Sequence, residues 1–150
     1  MSGTHTKLVY HIIFSTKHRA PLLGDSIRDE VHRYLGGIIL GEQGVPIQVG
    51  GTSDHVHLLV QLTAVAPLAD LMRRLKSNSS KWLNDGRKTA SKFGWQDGYA
   101  AFTVSESQIE RIRQYIVNQE EHHRRSDFKT ELRALLERHG IEFDEQRLWD

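Results

Sequence analysis

A chain of 150 residues with 38% hydrophobic and 26% charged residues has the composition of an ordinary folded domain and the length for one core. The net charge is +1, and the absence of cysteine excludes disulfides, thiolate metal sites and cysteine nucleophiles. No apolar run reaches the length of a membrane span and the first residues lack the hydrophobic region of a secretory leader, so a single cytoplasmic domain over residues 1–150 is expected.

From Lys7 to Ser15, Leu8, Tyr10, Ile12 and Phe14 alternate with Val9, His11 and Ile13, the pattern of a largely buried strand. Lys17-His18-Arg19-Ala20-Pro21 ends it. Ser26 is suited to cap a helix that carries Ile27, Val31, Tyr34, Leu35 and Ile38 on one side, and Gly36 and Gly37 weaken its second half. Pro46 to Gly50 reads as a short strand and Gly51-Thr52-Ser53-Asp54 as a tight turn. His55 to Leu62 is the second clear strand, with Val56, Leu58, Val60 and Leu62 on one face and His55, His57, Leu59 and Gln61 on the other.

Pro67 suits the first turn of a helix with the stripe Leu68, Leu71, Met72, Leu75 and Trp82, and Gly86 stops it. Gly98 to Val104 is a fourth strand. Ser105-Glu106-Ser107-Gln108 matches a capping box ahead of Ile109, Ile112 and Ile116, and a last helix runs from Asp127 to His139, ended by Gly140. The order β-α-β-β-α-β with two added C-terminal helices predicts an α+β fold, a ferredoxin-like antiparallel sheet. Such a fold hosts many functions, so the chemistry must come from particular residues.

Charge is unevenly distributed. Between Arg73 and Lys92 the chain places Arg73, Arg74, Lys76, Lys81, Arg87, Lys88 and Lys92 against Asp85 alone, which points to a basic surface for a polyanion.

Two constellations can carry chemistry. In Asp54-His55-Val56-His57 the imidazoles are two apart on a strand, hence on one face, and can converge on one divalent ion. Tyr115 and Gln119 are four apart on a helix, so a phenol and a carboxamide address one spot, with His122 a turn further on. Alone, each also admits a structural reading: two solvated histidines, one packed tyrosine. Together they supply metal ligands and a nucleophile. A phenol with a pKa near 10 needs a nearby positive charge or base to attack phosphate, and a metal ion supplies such a charge. Mixed imidazole and amide ligation suits Mg²⁺ or Mn²⁺.

Those residues resemble the HUH-class single-tyrosine transposases, enzymes that move small insertion sequences as single-stranded DNA. His55-Val56-His57-Leu58-Leu59-Val60, preceded by Asp54, is similar to their His-hydrophobic-His strand. Tyr115-Ile116-Val117-Asn118-Gln119, followed by His122-His123, is similar to their nucleophile helix. Tyr10 to Lys17, Gly98 to Ser105 and Leu136 to Ile141 add further likeness, so it spans essentially the whole chain.

The resemblance implies a ferredoxin-like fold, a homodimer, His55, His57 and Gln119 as metal ligands, and Tyr115 as the nucleophile. It further implies that single-stranded DNA bearing subterminal hairpins is cut and rejoined through a 5′-phosphotyrosine, without hydrolysis or ATP, by a cytoplasmic protein that joins the nucleoid when acting. Charge and placement nominate Lys17, Arg19, Arg73, Lys76 and Lys81 for DNA contact, with Trp82 and Trp95 as candidates to stack on unpaired bases, Trp82 also reading as core. Ser105-Glu106-Ser107 lacks the glycine of a hinge before the tyrosine helix, which leaves docking in cis or in trans open. The competing expectations are a domesticated hairpin-DNA-binding protein without turnover, and a phosphodiesterase that uses activated water.

Overall fold

The computed structural model describes residues 1–149. Four strands, β1 (Leu8–Ser15), β2 (Val45–Gly51), β3 (His55–Leu62) and β4 (Ala100–Thr103), form one sheet in the order β2-β3-β1-β4, and every neighbouring pair is antiparallel. Helix α1 (Asp25–Gly41) connects β1 to β2, and α2 (Leu68–Asp85) connects β3 to β4. This is the expected α+β arrangement, but in place of two C-terminal helices there are three, α3 (Ile109–Val117), α4 (Gln119–His123) and α5 (Phe128–Arg138), because the first is broken at Asn118. No helix among the described residues is long and apolar enough to cross a membrane.

Strand alternation divides the core. Ile12, Phe14, Val56, Leu58 and Val60 point to one face and pack on Val31, Leu35 and Ile39 of α1 and Leu71, Met72, Leu75 and Leu83 of α2. On the other face Val9 and Leu59 meet Ile116 of α3, while Ile13 and Phe102 meet Phe128, Leu132, Leu135 and Leu136 of α5. The histidines of β1 and β3 share this second face, so α3 to α5 cover them.

Several boundaries differ from expectation for local reasons. Helix α1 starts at Asp25 with Gly24 in the capping position, so Ser26 lies inside the first turn. Strand β4 is shorter than the stretch Gly98 to Val104, because the backbone turns at Gly98 (φ +78°) and β1 pairs only as far as Thr103. Ser105 makes no side-chain capping bond; Glu106–Gln108 form a 3-10 turn ahead of α3, and the Ser105 hydroxyl meets that of Ser107 at 3.3 Å instead.

Candidate active site

His55 and His57 have no solvent exposure. Each is held through its Nδ1. That of His55 lies 2.7 Å from Asp54 Oδ1 and 3.1 Å from Thr52 Oγ1, on the turn before β3. That of His57 lies 2.8 Å from Nε2 of His11, on β1. Antiparallel pairing sets the second contact, because Ile13 stands opposite His57 and places His11 two residues along on the same face. Both Nε2 atoms are thereby aimed away from the strands.

Tyr115 and Gln119 straddle a break at Asn118 (φ −92°, ψ 19°), yet both face the histidines. The chain stays on course because Asn118 N–H donates to the Gln114 carbonyl (3.1 Å) and His122 N–H to the Asn118 carbonyl (2.9 Å). Gly50 lets α3 sit this close to β2: a Cβ there would come within 2.7 Å of both Cγ2 and the carbonyl oxygen of Ile116. Gln119 is buried, with Oε1 3.0 Å from His55 Nε2. Tyr115 is half-buried, its ring centroid 5.8 Å from that of His57. The four residues singled out from the sequence thus converge within one chain.

At their meeting point stands Glu131, which sequence reasoning missed. It is 4% exposed. Its Oε1 lies 3.1 Å from Nε2 of His57, 3.1 Å from Nε2 of His123 and 3.5 Å from Nε2 of His55. Its Oε2 accepts from the Tyr115 hydroxyl and from Gln119 Nε2 (3.0 Å), and lies 3.5 Å from His122 Nε2. Helix α5, capped by Asp127 accepting from Thr130 N–H at 2.9 Å, delivers it. A signal was present: Phe128, Leu132, Leu135 and Leu136 form the apolar stripe of this helix, and Glu131 interrupts it at a core position.

The electrostatics favour a cation. Burial pulls His57 down to about 4, against the hydrogen bond and charge of Glu131, and pulls His11 to about 3. Burial works to raise the Glu131 carboxyl, but hydrogen bonds from His123 and His57 outweigh it and hold it below the usual range. A dry carboxylate beside neutral imidazole leaves a negative charge without an ionic partner. With Nδ1 of His55 held by Asp54, its Nε2 lies 3.0 Å from Gln119 Oε1, two atoms able to ligate one cation. Burial, and then the Glu131 charge, push the Tyr115 phenol up, so without a cation it is a poor nucleophile. His55, His57 and Glu131 form a buried cluster, their ligand atoms within 4.8 Å of one another, able to hold a divalent ion.

The candidate DNA contacts are dispersed. Lys17 and Arg19 lie in the 3-10 turn after β1, and Arg19 stands over the Trp149 ring at 5.5 Å. Arg73 and Lys81 are exposed on α2, near Asp70 (3.8 Å) and paired with Asp85 respectively. Lys76 is committed elsewhere: its ammonium donates to the carbonyls of Gln96 (2.9 Å) and Gly98, and burial lowers it to about 8. Trp95 is 7% exposed and donates to Ser79 Oγ at 2.8 Å, which makes it core rather than a stacking platform. Trp82 stacks on Tyr34 with centroids 4.2 Å apart, against the core. Beside the buried cluster opens a cavity of about 430 Å³, with His11 among its lining residues and Arg111 and Arg138 at its wall.

The family described as transposase, IS200-like, matches residues 4–119. The ISDra2 transposase TnpA of Deinococcus radiodurans is 28% identical over 118 residues, covering 75% of this chain and 84% of that protein. A crystal structure assigned as a transposase from D. radiodurans R1 superposes with a TM-score of 0.63 at 29% identity, over 79% of this chain and 95% of that one. A REP-associated tyrosine transposase bound to a REP hairpin gives a TM-score of 0.61 over 82% of this chain and 74% of that one; at 11% identity the likeness concerns the fold.

Proposed function

This chain belongs to the IS200-like transposase family, and from that membership we propose that it cuts and rejoins single-stranded DNA through a phosphotyrosine on Tyr115. The observation that carries the reading is the convergence of Tyr115, Gln119, His55 and His57 around Glu131 inside one chain. The Tyr115 oxygen attacks the scissile phosphorus, the bond to the 3′-oxygen breaks, and the products are a 5′-phosphotyrosine and a free 3′-hydroxyl. Rejoining is the reverse attack by a 3′-hydroxyl, so the phosphodiester energy is conserved and neither water nor ATP is consumed.

His55, His57 and Gln119 would hold Mg²⁺ or Mn²⁺, which supplies positive charge to the phosphate oxygens and the leaving oxygen. The protein fixes the rest. Asp54 and His11 orient the two imidazoles, and Glu131 Oε2 receives the Tyr115 hydroxyl hydrogen, so the nucleophile is aimed before substrate arrives. Because α4 and α5 close the imidazoles from solvent, the strand approaches from the cavity walled by Arg111 and Arg138, or α5 yields to it. Lys17, Arg19, Arg73 and Lys81 would contact the DNA, including subterminal hairpins; Lys76 enters that set only if its carbonyl contacts open. We also propose a homodimer, although the site is complete within one subunit.

The test is a labelled single strand drawn from the DNA flanking the coding sequence, incubated with Mn²⁺ and run on a denaturing gel. The protein should form a covalent adduct, and Tyr115→Phe should abolish it while hairpin binding persists. An adduct formed by the Phe variant, or hydrolysed ends with no adduct, overturns the reading.

A further inference from the structure

We propose that the cavity walled by Arg111 and Arg138 is a nucleotide subsite. It receives one unpaired nucleotide beside the scissile bond, with the phosphate between the two guanidinium groups and the base against His139. The inference rests on the reading that this chain cuts a single strand, and it names the residues that hold that strand in register. The family match ends at Gln119, whereas Arg138 and His139 lie beyond it.

Three elements meet around the cavity. Strand β4 contributes Phe102, α3 contributes Arg111 and Ile112, and the end of α5 contributes Leu135, Arg138 and His139. Its volume, about 430 Å³, lies in the range of concave pockets that take one small ligand. His11 forms the wall toward the histidine pair: its ring lines the cavity, its Nε2 is 2.8 Å from Nδ1 of His57, and its centroid is 6.2 Å from that of Tyr115. The cavity therefore adjoins the reacting centre without being part of it. A strand with its scissile phosphate at Tyr115 passes a neighbouring nucleotide into this space.

The charges suit a phosphate. Arg111 and Tyr115 are four apart on α3, and Arg138 stands two turns after Glu131 on α5, so each guanidinium shares a helix face with a residue of the centre. The Arg138 charge acts on the Tyr115 phenol, in the direction that lowers it. Nearby arginines are already spent: Arg113 on Glu110, Arg124 on Glu121 and Arg133 on Glu145. Arg111 and Arg138 form no ion pair among the described residues. Two planar donor forks facing one cavity match the oxygens of a phosphodiester better than they match a point charge.

The remaining walls suit a base. His139 stacks on Phe102 with centroids 4.0 Å apart and planes 18° apart, and its Nδ1 lies 2.8 Å from the Leu135 carbonyl oxygen, which fixes the ring. Phe102 is 4% exposed, so the histidine is the outer ring of the pair and a platform for an unpaired base. Ser105 and Gln108 line the cavity from the turn before α3 and offer a hydroxyl and a carboxamide to a base edge.

The experiment uses the full chain carrying Tyr115→Phe, so that binding is read without cutting. The probe is a fluorescent single strand from the DNA flanking the coding sequence, hairpin included, with one linkage at a time made a neutral methylphosphonate. Neutralising one linkage should weaken binding at least about tenfold. Arg111→Ala with Arg138→Ala should weaken binding of the unmodified strand to the same extent and abolish the dependence on that linkage. Removing the adjoining base should weaken binding about tenfold in the parent and have little effect in His139→Ala. Mapping the bond cut by the chain with Tyr115 intact should place the linkage within about two nucleotides of it. If the arginine variants keep the linkage dependence, or bind as the parent does, the subsite is wrong while the cutting reading stands. Deoxynucleoside 5′-monophosphates that bind as tightly as the strand would mean a site for free nucleotides, and would also overturn it. If the coupling appears but no strand is cut by the intact chain, the cutting reading falls, and with it the placement beside a scissile bond.

Discussion

Asp54 touches no reacting atom in this arrangement, yet it sets the tautomer of His55. Its carboxylate, 2.7 Å from Nδ1, accepts the N–H on that side and aims Nε2 at Gln119 and Glu131. Burial works to raise Asp54, but the His55 hydrogen bond outweighs it and holds the carboxyl below its usual range, so it remains an anion at neutral pH. Asp54→Asn keeps the size and removes the charge. Such partners of metal ligands typically contribute 10- to 100-fold in affinity, so Mn²⁺ binding measured by calorimetry should weaken by about that factor with little change in fold. An unchanged affinity would mean that His55 is not a ligand.

At the scale of elements, the placement of α3 against β2 decides whether Tyr115 reaches the site. Gly50 makes that approach feasible, since no side chain stands between the strand and Ile116. Gly50→Ala puts a methyl 2.7 Å from Ile116 Cγ2 and from its backbone carbonyl, so α3 must shift outward. Overpacking of this kind costs about 1–3 kcal/mol. Adduct formation in the gel assay should fall at least about tenfold, because small misplacements of a nucleophile are expensive, while hairpin binding on other surfaces persists. Full activity would mean that α3 docks elsewhere during catalysis. Helix α5 has a matching role on the opposite side, where Phe128, Leu132, Leu135 and Leu136 seat Glu131 over the histidines.

For the whole molecule, the buried histidines make folding sensitive to acid. His11, His32 and His57 have folded values of about 3, 4 and 4, in each case chiefly through burial, against an unfolded 6.5. Between those values the unfolded chain binds more protons, so their contribution is complete above pH 6.5 and lost as pH falls toward 4. Glu131, held below its ordinary value of 4.5, adds a loss of the same sign at lower pH. Chelator-treated protein should therefore show a level melting temperature above pH 7 and a steady fall from about pH 6.5 downward, each histidine contributing up to about 1.4 kcal/mol per pH unit. A flat profile to pH 4.5 would show that these imidazoles are charged in the fold. DNA affinity should fall steeply with salt, and Arg19→Ala should reduce the slope of log affinity against log salt by about one. An unaltered slope would remove Arg19 from the DNA surface.

Much of this was legible from residue order. Period-two alternation located β1 and β3, and it placed His55 and His57 on one face, because strand geometry is local. Four-residue spacing brought Tyr115 and Gln119 together despite the break at Asn118. The break that Glu131 makes in the apolar stripe of α5 is a local signal, but spacing does not bring Glu131, His123 or His11 to the histidine pair: each reaches it through tertiary packing, across 76, 68 and 46 residues of chain from His55 or His57. Whether a glutamate in an apolar stripe is a solvated defect or a buried anion depends on what the opposite surface presents. Here that surface is an antiparallel register that sets His11 beside His57, and it exists only once the sheet has formed.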